Sequence, residues 1–450
     1  MLSHLLAGVS LPAPLAADAL PGAVAAAAAA PAPAPVAAAA TAALPAISAG
    51  DTAFVLIAAA MVLLMTPGLG LFYGGMVRKK NVLSTLMHSF LMLGVVSVVW
   101  VVAGYSLAFS EGGIFHNLVG DLSFGLLKGV GGDANQDMAP TIPHLVFMAF
   151  QMMFAIITVA LISGAIAERV KFSAFLAFAV LWSLFVYSPV CRWVWGPHGF
   201  LKDMGALDFA GGTVVHILSG FSALTAAILL GKRKGLGEQN MLPHNTTMVM
   251  TGAGLLWFGW FGFNAGSALQ ANGLAAYAFV NTNTAAAAAM LTWIAAEWFM
   301  HGKPTALGAA SGCVAGLVAI TPAAGFVTPA GALLLGALVS PICVYAVNLK
   351  NRFGYDDSLD AFGVHGVGGT FGALATGILA TKAVNAAGAD GGLAQLKIQA
   401  TAVACSIGYA VVGTIVIFKV VDLLIGFRVT KRDEELGLDL TQHSEAGYEI

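Results

Sequence analysis

Charge is what this 450-residue chain has least of: Asp, Glu, Lys and Arg make up 9% of it, against about 25% in a soluble domain. A water-facing surface cannot be built from so little, and 58% of the residues are hydrophobic. The composition is that of a polytopic membrane protein. A net charge of −2 excludes the concentrated basic face that nucleic acid requires. Cysteine is scarce as well. Cys191, Cys313, Cys343 and Cys405 lie in or beside apolar runs at unrelated spacings, so buried thiols are expected, without a disulfide framework or zinc site. No cofactor is expected either: Gly68 to Gly75 is Gly-rich but lacks the strand and the Lys-Ser/Thr of a phosphate loop. Residues 1–50 contain no Lys or Arg, but 22 Ala and 7 Pro. They read as a cleaved secretory signal or a disordered Ala/Pro-rich leader.

What is present is length of apolar sequence. Eleven spans follow, at about 53–74, 83–109, 143–166, 173–194, 210–230, 247–269, 274–299, 306–321, 328–349, 363–380 and 398–426. The fold class is therefore all-α integral membrane, with a membrane domain over 51–427 and a tail over 428–450. Fourteen Lys and Arg fall on alternate connections and the tail, against five on the others. The positive-inside rule puts the tail in the cytoplasm. With an odd number of spans, the first span then starts outside.

Ionisable groups inside such spans are costly and mark function. Asp208-Phe-Ala-Gly-Gly-Thr-Val-Val-His216 opens the fifth span, and Asp360-Ala-Phe-Gly-Val-His365 opens the tenth. At about 1.5 Å per helical residue, His216 lies roughly 12 Å below Asp208 and His365 roughly 7.5 Å from Asp360. The two elements enter from opposite faces, five spans apart. That is the arrangement of two inverted five-span repeats with a pathway at their interface. The imidazoles need not touch, but both fall in the central region. A lone buried histidine is often a packing residue, as His88 on span 2 is expected to be; two in equivalent inverted positions point to a pore.

Phe150, Phe154, Trp195, Trp260, Phe261 and Phe263 gather toward the outer ends of spans 3, 4 and 6, beside Ser267. Ring faces and a hydroxyl attract a small cation without caging it. Deeper, the path offers apolar side chains and two histidines, with no carboxylate ring and no carbonyl filter. A permanent ion pays several kcal/mol to enter such a lining. Ammonium can leave its proton at the mouth and potassium cannot. A neutral imidazole has one donor and one acceptor nitrogen, which suits guiding NH3 or carrying a proton.

With Pro67-Gly-Leu-Gly-Leu-Phe-Tyr-Gly-Gly-Met-Val-Arg78, Gly259-Trp-Phe-Gly-Phe-Asn-Ala-Gly-Ser267 and Phe362-Gly-Val-His365-Gly-Val-Gly, the Asp208 stretch closely resembles the Amt/Mep/Rh ammonium transporters of bacterial type, over about 51–450. The resemblance implies a homotrimer of eleven-helix protomers in the bacterial inner membrane, each with its own pore. It implies that Phe150, Phe154, Trp195 and Ser267 form an outer recruitment site for ammonium. Phe154 and Phe263 would be a phenyl gate, and His216 and His365 the pore pair. Asp208 would support the outer site, and Asp360 would act at the inner end, as a helix cap. Arg192 stands near the external mouth, facing the passing cation or the headgroups. Glu168 and Glu297 sit near cytoplasmic helix ends beside basic residues.

The tail from Arg428 to Ile450 has three basic and six acidic residues and reads by itself as a solvated segment. It is also similar to the family tail, under which a PII-type signal-transduction protein is a possible partner. Two other functions compete. A membrane haem or metal enzyme would need more ligands than His216 and His365. An ammonium sensor of the same fold would be expected to carry a signalling domain, and the tail after span 11 has 23 residues.

Overall fold

The computed structural model describes residues 46–448. The signal or leader reading of the N-terminal stretch falls almost wholly on 1–45, outside the described residues. Eleven long helical segments cross the molecule: α1 (Ala49–Met76), α2 (Lys79–Phe109), α3 (His144–Ile166), α4 (172–195), α5 (Gly212–Leu230), α6 (Thr246–Gly266), α7 (Gly273–His301), α8 (Ala306–Ile320), α9 (Pro329–Phe353), α10 (Phe362–Leu379) and α11 (Leu393–Ile425). Two short tail helices, α12 (Lys431–Leu436) and α13 (Leu438–His443), follow. Eight of the eleven are long and apolar enough to cross a membrane by composition alone; α6, α7 and the short α8 are not among those eight. Asn264 on α6 and Asn281 and Thr282 on α7 are buried and face protein instead of lipid. Asn264 donates to Thr282 at 2.9 Å, and Asn281 donates to the carbonyls of Ala324 and Val327 at 2.9 and 2.7 Å.

The helices form two inverted halves, α1–α5 and α6–α10, with α11 outside the repeat. The first helices of the halves pack backbone to backbone: a Cβ on Gly252 of α6 would stand 2.3 Å from the amide nitrogen of Phe72 on α1. The last helices, α5 and α10, do the same where Gly220 meets Gly366. Small residues permit this approach, and without them helices in lipid cannot gain close van der Waals contact. The most apolar stretches of α3 and α5 are 72% and 78% buried, against 28% for α2. So α3 and α5 line the interior and α2 faces lipid.

The sequence predicts regular helix at both histidines, and the structure departs from that. Gly212–Ile217 and Phe362–Gly366 are π-helical turns, one at each histidine. A π turn is a single-residue expansion of the helix that recurs at functional sites. Here each one follows directly on an acid-capped N-terminus.

Candidate functional site

The site starts at an outer cavity of about 210 Å³, lined in part by Phe147, Gln151, Phe154, Trp195 and Ser267. Trp195 is held by its indole N–H, which donates to the Asp208 carbonyl at 2.9 Å, and its ring stands edge-on to Phe154 at 5.7 Å. The Ser267 hydroxyl donates to the Phe263 carbonyl at 2.8 Å. Its proton is thereby committed, and its lone pairs are left to accept. Phe150 takes a different place from the one expected. It is fully buried and packs behind Phe154 at 4.9 Å instead of lining the cavity. Phe147 and Gln151 line it in its stead, because α3 turns Phe150 inward toward Gly266. Gln151 was not singled out from sequence; its buried Oε1 has no hydrogen-bond partner, an acceptor left open beside the cavity.

Below the cavity Phe154 and Phe263 stack at 4.2 Å with 29° between their planes, closing the way. Beneath Phe263, His216 lies 6.1 Å away and stacks on Trp260 at 5.3 Å. Trp260 thus belongs to the pore lining, whereas Phe261 stacks on Phe279 away from it. The histidines do touch. Their Nδ1 atoms are 3.2 Å apart and the ring centroids 5.2 Å. Two facing Nδ1 atoms at hydrogen-bond distance hold one proton between them, one nitrogen donating and the other accepting. The Nε2 of His216 is buried without a partner. The chamber beside the pair has about 10 Å³ of free space, lined by Leu69, Phe72, Ile157, Val215, Trp260 and both histidines among others. That is about the least space that holds one water-sized molecule. A chamber of about 30 Å³ on the other side of His365 reaches Tyr73, Ser311 and Asp360. It leads to an inner vestibule of about 440 Å³ rimmed by Lys232, Lys350 and Asp356.

Both histidine-bearing turns are fixed by a carboxylate. Asp208 accepts the backbone N–H groups of Gly211, Gly212, Thr213 and Val214 at 2.7 to 3.1 Å. Four orphan donors at a helix start are satisfied by one side chain. Burial pushes the Asp208 carboxyl upward, and these four amides pull against it. At the inner end the cap is not Asp360. Asp357 accepts from Ala361 and Phe362 at 3.1 and 2.8 Å, and is the counterpart of Asp208. Asp360 sits with φ at +61° and turns its carboxylate to the Lys350 ammonium. Burial, then the neighbouring Asp360, raises the Asp357 carboxyl.

The remaining singled-out groups are structural. Glu168 accepts from Arg78, Asn81 and Arg233, and Arg233 forks onto Asp356. Glu297 meets Trp293 and Thr305 instead of a basic residue. His88 packs edge-on to Phe172 and Phe175, as expected. Arg192 faces neither cation nor headgroup: it is buried and its Nε donates to the His116 carbonyl at 2.6 Å. All four cysteines are free. Among the described residues no three His, Cys, Asp or Glu side chains converge where a metal would sit.

Inverted halves around a narrow passage with an aromatic mouth and a histidine pair at its centre define a multi-pass membrane transport protein. The chain belongs to the Ammonium Transporter Family, whose model matches residues 53–448. It is 55% identical over 405 residues to an ammonium transporter of Bacillus subtilis, covering 89% of this chain and 98% of that one. It is 46% identical to ammonium transporter Amt1 of Archaeoglobus fulgidus, covering 89% and 100%. Among solved structures, Saccharomyces cerevisiae Mep2 superposes with a TM-score of 0.82 at 36% identity over 90% of this chain and 92% of that chain. A structure described as a sensor Amt protein gives 0.81 at 30% identity, covering 88% and 98%. Both curated relatives are named as transporters and not as enzymes.

Proposed function

We propose that the protein recruits NH4+ at the outer cavity, strips its proton, and conducts NH3 past His216 and His365 into the cytoplasm. The observation that carries this reading is the histidine chamber: about 10 Å³, with apolar walls and one hydrogen-bonded imidazole pair. A neutral molecule of NH3 size fits there, and an ion with its hydration shell does not. The rings of Phe154 and Trp195 and the Ser267 lone pairs hold the cation, and the stacked Phe154 and Phe263 open to admit NH3. The released proton either returns to the outer water or follows along the histidine pair. Asp208 and Asp360 stay off the reaction path, Asp208 building the helix start and Asp360 tuning the inner mouth.

The orientation in the bacterial inner membrane is N-terminus outside and C-terminus inside, supported by the Lys and Arg residues of the tail face. The active unit is a homotrimer, supported by the family resemblance. A PII-type signal-transduction protein docks on the tail face over the inner vestibule; a pull-down at low and high 2-oxoglutarate that retains none argues against it. The structural likeness to a sensor Amt protein supports a second reading, ammonium sensing on the same fold.

One experiment separates these. Proteoliposomes on a solid-supported membrane receive an ammonium jump, for wild type, His216→Asp and His365→Glu. A wild-type current absent with potassium supports charge movement coupled to deprotonation, and potassium current in the variants makes the histidines the selectivity barrier. Without current, internal alkalinisation above that of empty liposomes means electroneutral NH3 conduction. Neither signal overturns transport and leaves the sensor.

A further inference from the structure

The outer cavity reads as a cation site, yet among its lining residues the one ionisable side chain is itself a cation. Lys202 follows the turn at Gly196–Gly199, in the short helix Phe200–Asp203, and lines the same cavity as Gln151, Phe154, Trp195 and Ser267. It is exposed, and its Nζ donates to the Trp195 backbone carbonyl at 3.3 Å. Its charged neighbours are Asp203, Asp137 and Arg192, and none of the three lines the cavity itself.

We propose that Lys202 is a tethered competitor for the outer site, a resident alkylammonium group whose presence sets the ammonium concentration at which the transporter half-saturates. The inference rests on reading this cavity as the recruitment site. Its chemical basis is identity of head group. A lysine ammonium is a compact charge with three N–H donors on a flexible four-carbon stem. It seeks the acceptors that NH4+ seeks: the ring faces of Phe154 and Trp195, the Ser267 lone pairs, and the Gln151 Oε1 that has no partner. The single long hydrogen bond to Trp195 leaves two of its N–H groups to water, so it is held near the mouth and not locked there. Two effects follow. Its charge repels an arriving cation, and its head group occupies acceptors part of the time. Both weaken substrate binding, while Phe263 and the histidine pair below are untouched. The same competition extends to methylammonium, which shares the alkylammonium head.

The test is a set of ammonium saturation curves, by current or internal alkalinisation, for wild type, Lys202→Gln, Lys202→Arg and Lys202→Glu. They are recorded at low ionic strength, where the Debye length is about 30 Å, and at high ionic strength, where it is about 3 Å. At low ionic strength Lys202→Gln lowers the half-saturating concentration roughly three- to tenfold, with a smaller change in the saturating rate. Lys202→Glu lowers it further, and Lys202→Arg, which keeps the charge, stays within about twofold of wild type. The gap between Lys202→Gln and wild type narrows at high ionic strength. An unchanged half-saturation in Lys202→Gln overturns the proposal. So does an equal shift in Lys202→Arg, or a gap as wide at high ionic strength as at low, since packing alone does not depend on salt. A wild type with no saturable ammonium signal overturns the recruitment reading beneath it, an outcome distinct from a normal wild-type curve that the variants fail to move.

Discussion

Asp208 gathers four backbone N–H groups onto two oxygens, and every atom of the outer site depends on where that turn is held. Asp208→Asn replaces one acceptor oxygen by a donor and removes the charge. We expect a loss of about 2–4 kcal/mol, read as a lower thermal midpoint in detergent, together with loss of transport as the turn that carries the backbone carbonyl anchoring Trp195 shifts. Ser267→Ala removes an acceptor and the hydrogen bond to the Phe263 carbonyl: half-saturation should rise about three- to tenfold, and Ser267→Thr should restore most of it. At this scale the sequence is readable where a residue type is costly in its setting. An acid and a histidine in an apolar run announce themselves. Asp357 and Asp360 separate only by spacing: Asp357 precedes His365 by eight residues, as Asp208 precedes His216, whereas Asp360 precedes it by five and turns away from the helix N–H groups at a positive φ. Gln151 and Lys202 are polar residues near span ends, where polar residues are common, so nothing in their type distinguishes them.

Between elements, the decisive contact is the crossing of α5 and α10. A methyl on Gly220 would lie 2.2 Å from the Gly366 nitrogen and 2.4 Å from its Cα, with no side chain to yield. Gly220→Ala should therefore push the helices apart, cost about 1–3 kcal/mol, and draw the two Nδ1 atoms out of hydrogen-bond range. Thermal melting and ammonium flux measured together check this: flux should be lost even where the protein still folds. The spans themselves were legible, with boundaries that fall within a few residues of the helices for most of them, because the thickness of a bilayer fixes how long an apolar run must be. Their internal geometry was not. A π turn changes a hydrogen-bond register and leaves composition alone, so the regular rise assumed for His216 and His365 placed them near one another without showing that they touch.

For the molecule as a whole, the tail face is one connected ionic floor. The expectation of a solvated tail fails because its acids find partners among the helix ends: Glu434 accepts from Lys234 and Arg428, and Asp439 accepts the Ser84 amide at 2.8 Å. Net acidic composition cannot reveal that, since Lys234 and Ser84 lie 200 and 355 residues from the acids they meet. Burial alone would raise the Glu168 carboxyl, but Arg233 and Arg78 outweigh it and bring it from an ordinary 4.5 to about 2. A carboxyl lowered by folding contributes stability that is complete above its unfolded value and is lost as pH falls through the folded one. Asp357, raised by burial, works the other way and gains as pH first falls from neutrality. The thermal midpoint should thus hold or rise slightly on mild acidification, then drop between about pH 4.5 and 2. Glu168→Gln should lower the midpoint at neutral pH by about 3–5 kcal/mol of stability and remove its share of the acid step.

The same floor bears on how the chain is made. The tail acid Asp439 closes on Ser84, 355 residues earlier and at the start of the second helix, and Leu438 donates its amide to Asn81. A nascent chain that has inserted all eleven helices still exposes those open groups until Leu438 and Asp439 have emerged and folded back. A product cut short just after the last span therefore presents its vacant seams to whatever proteases patrol the membrane.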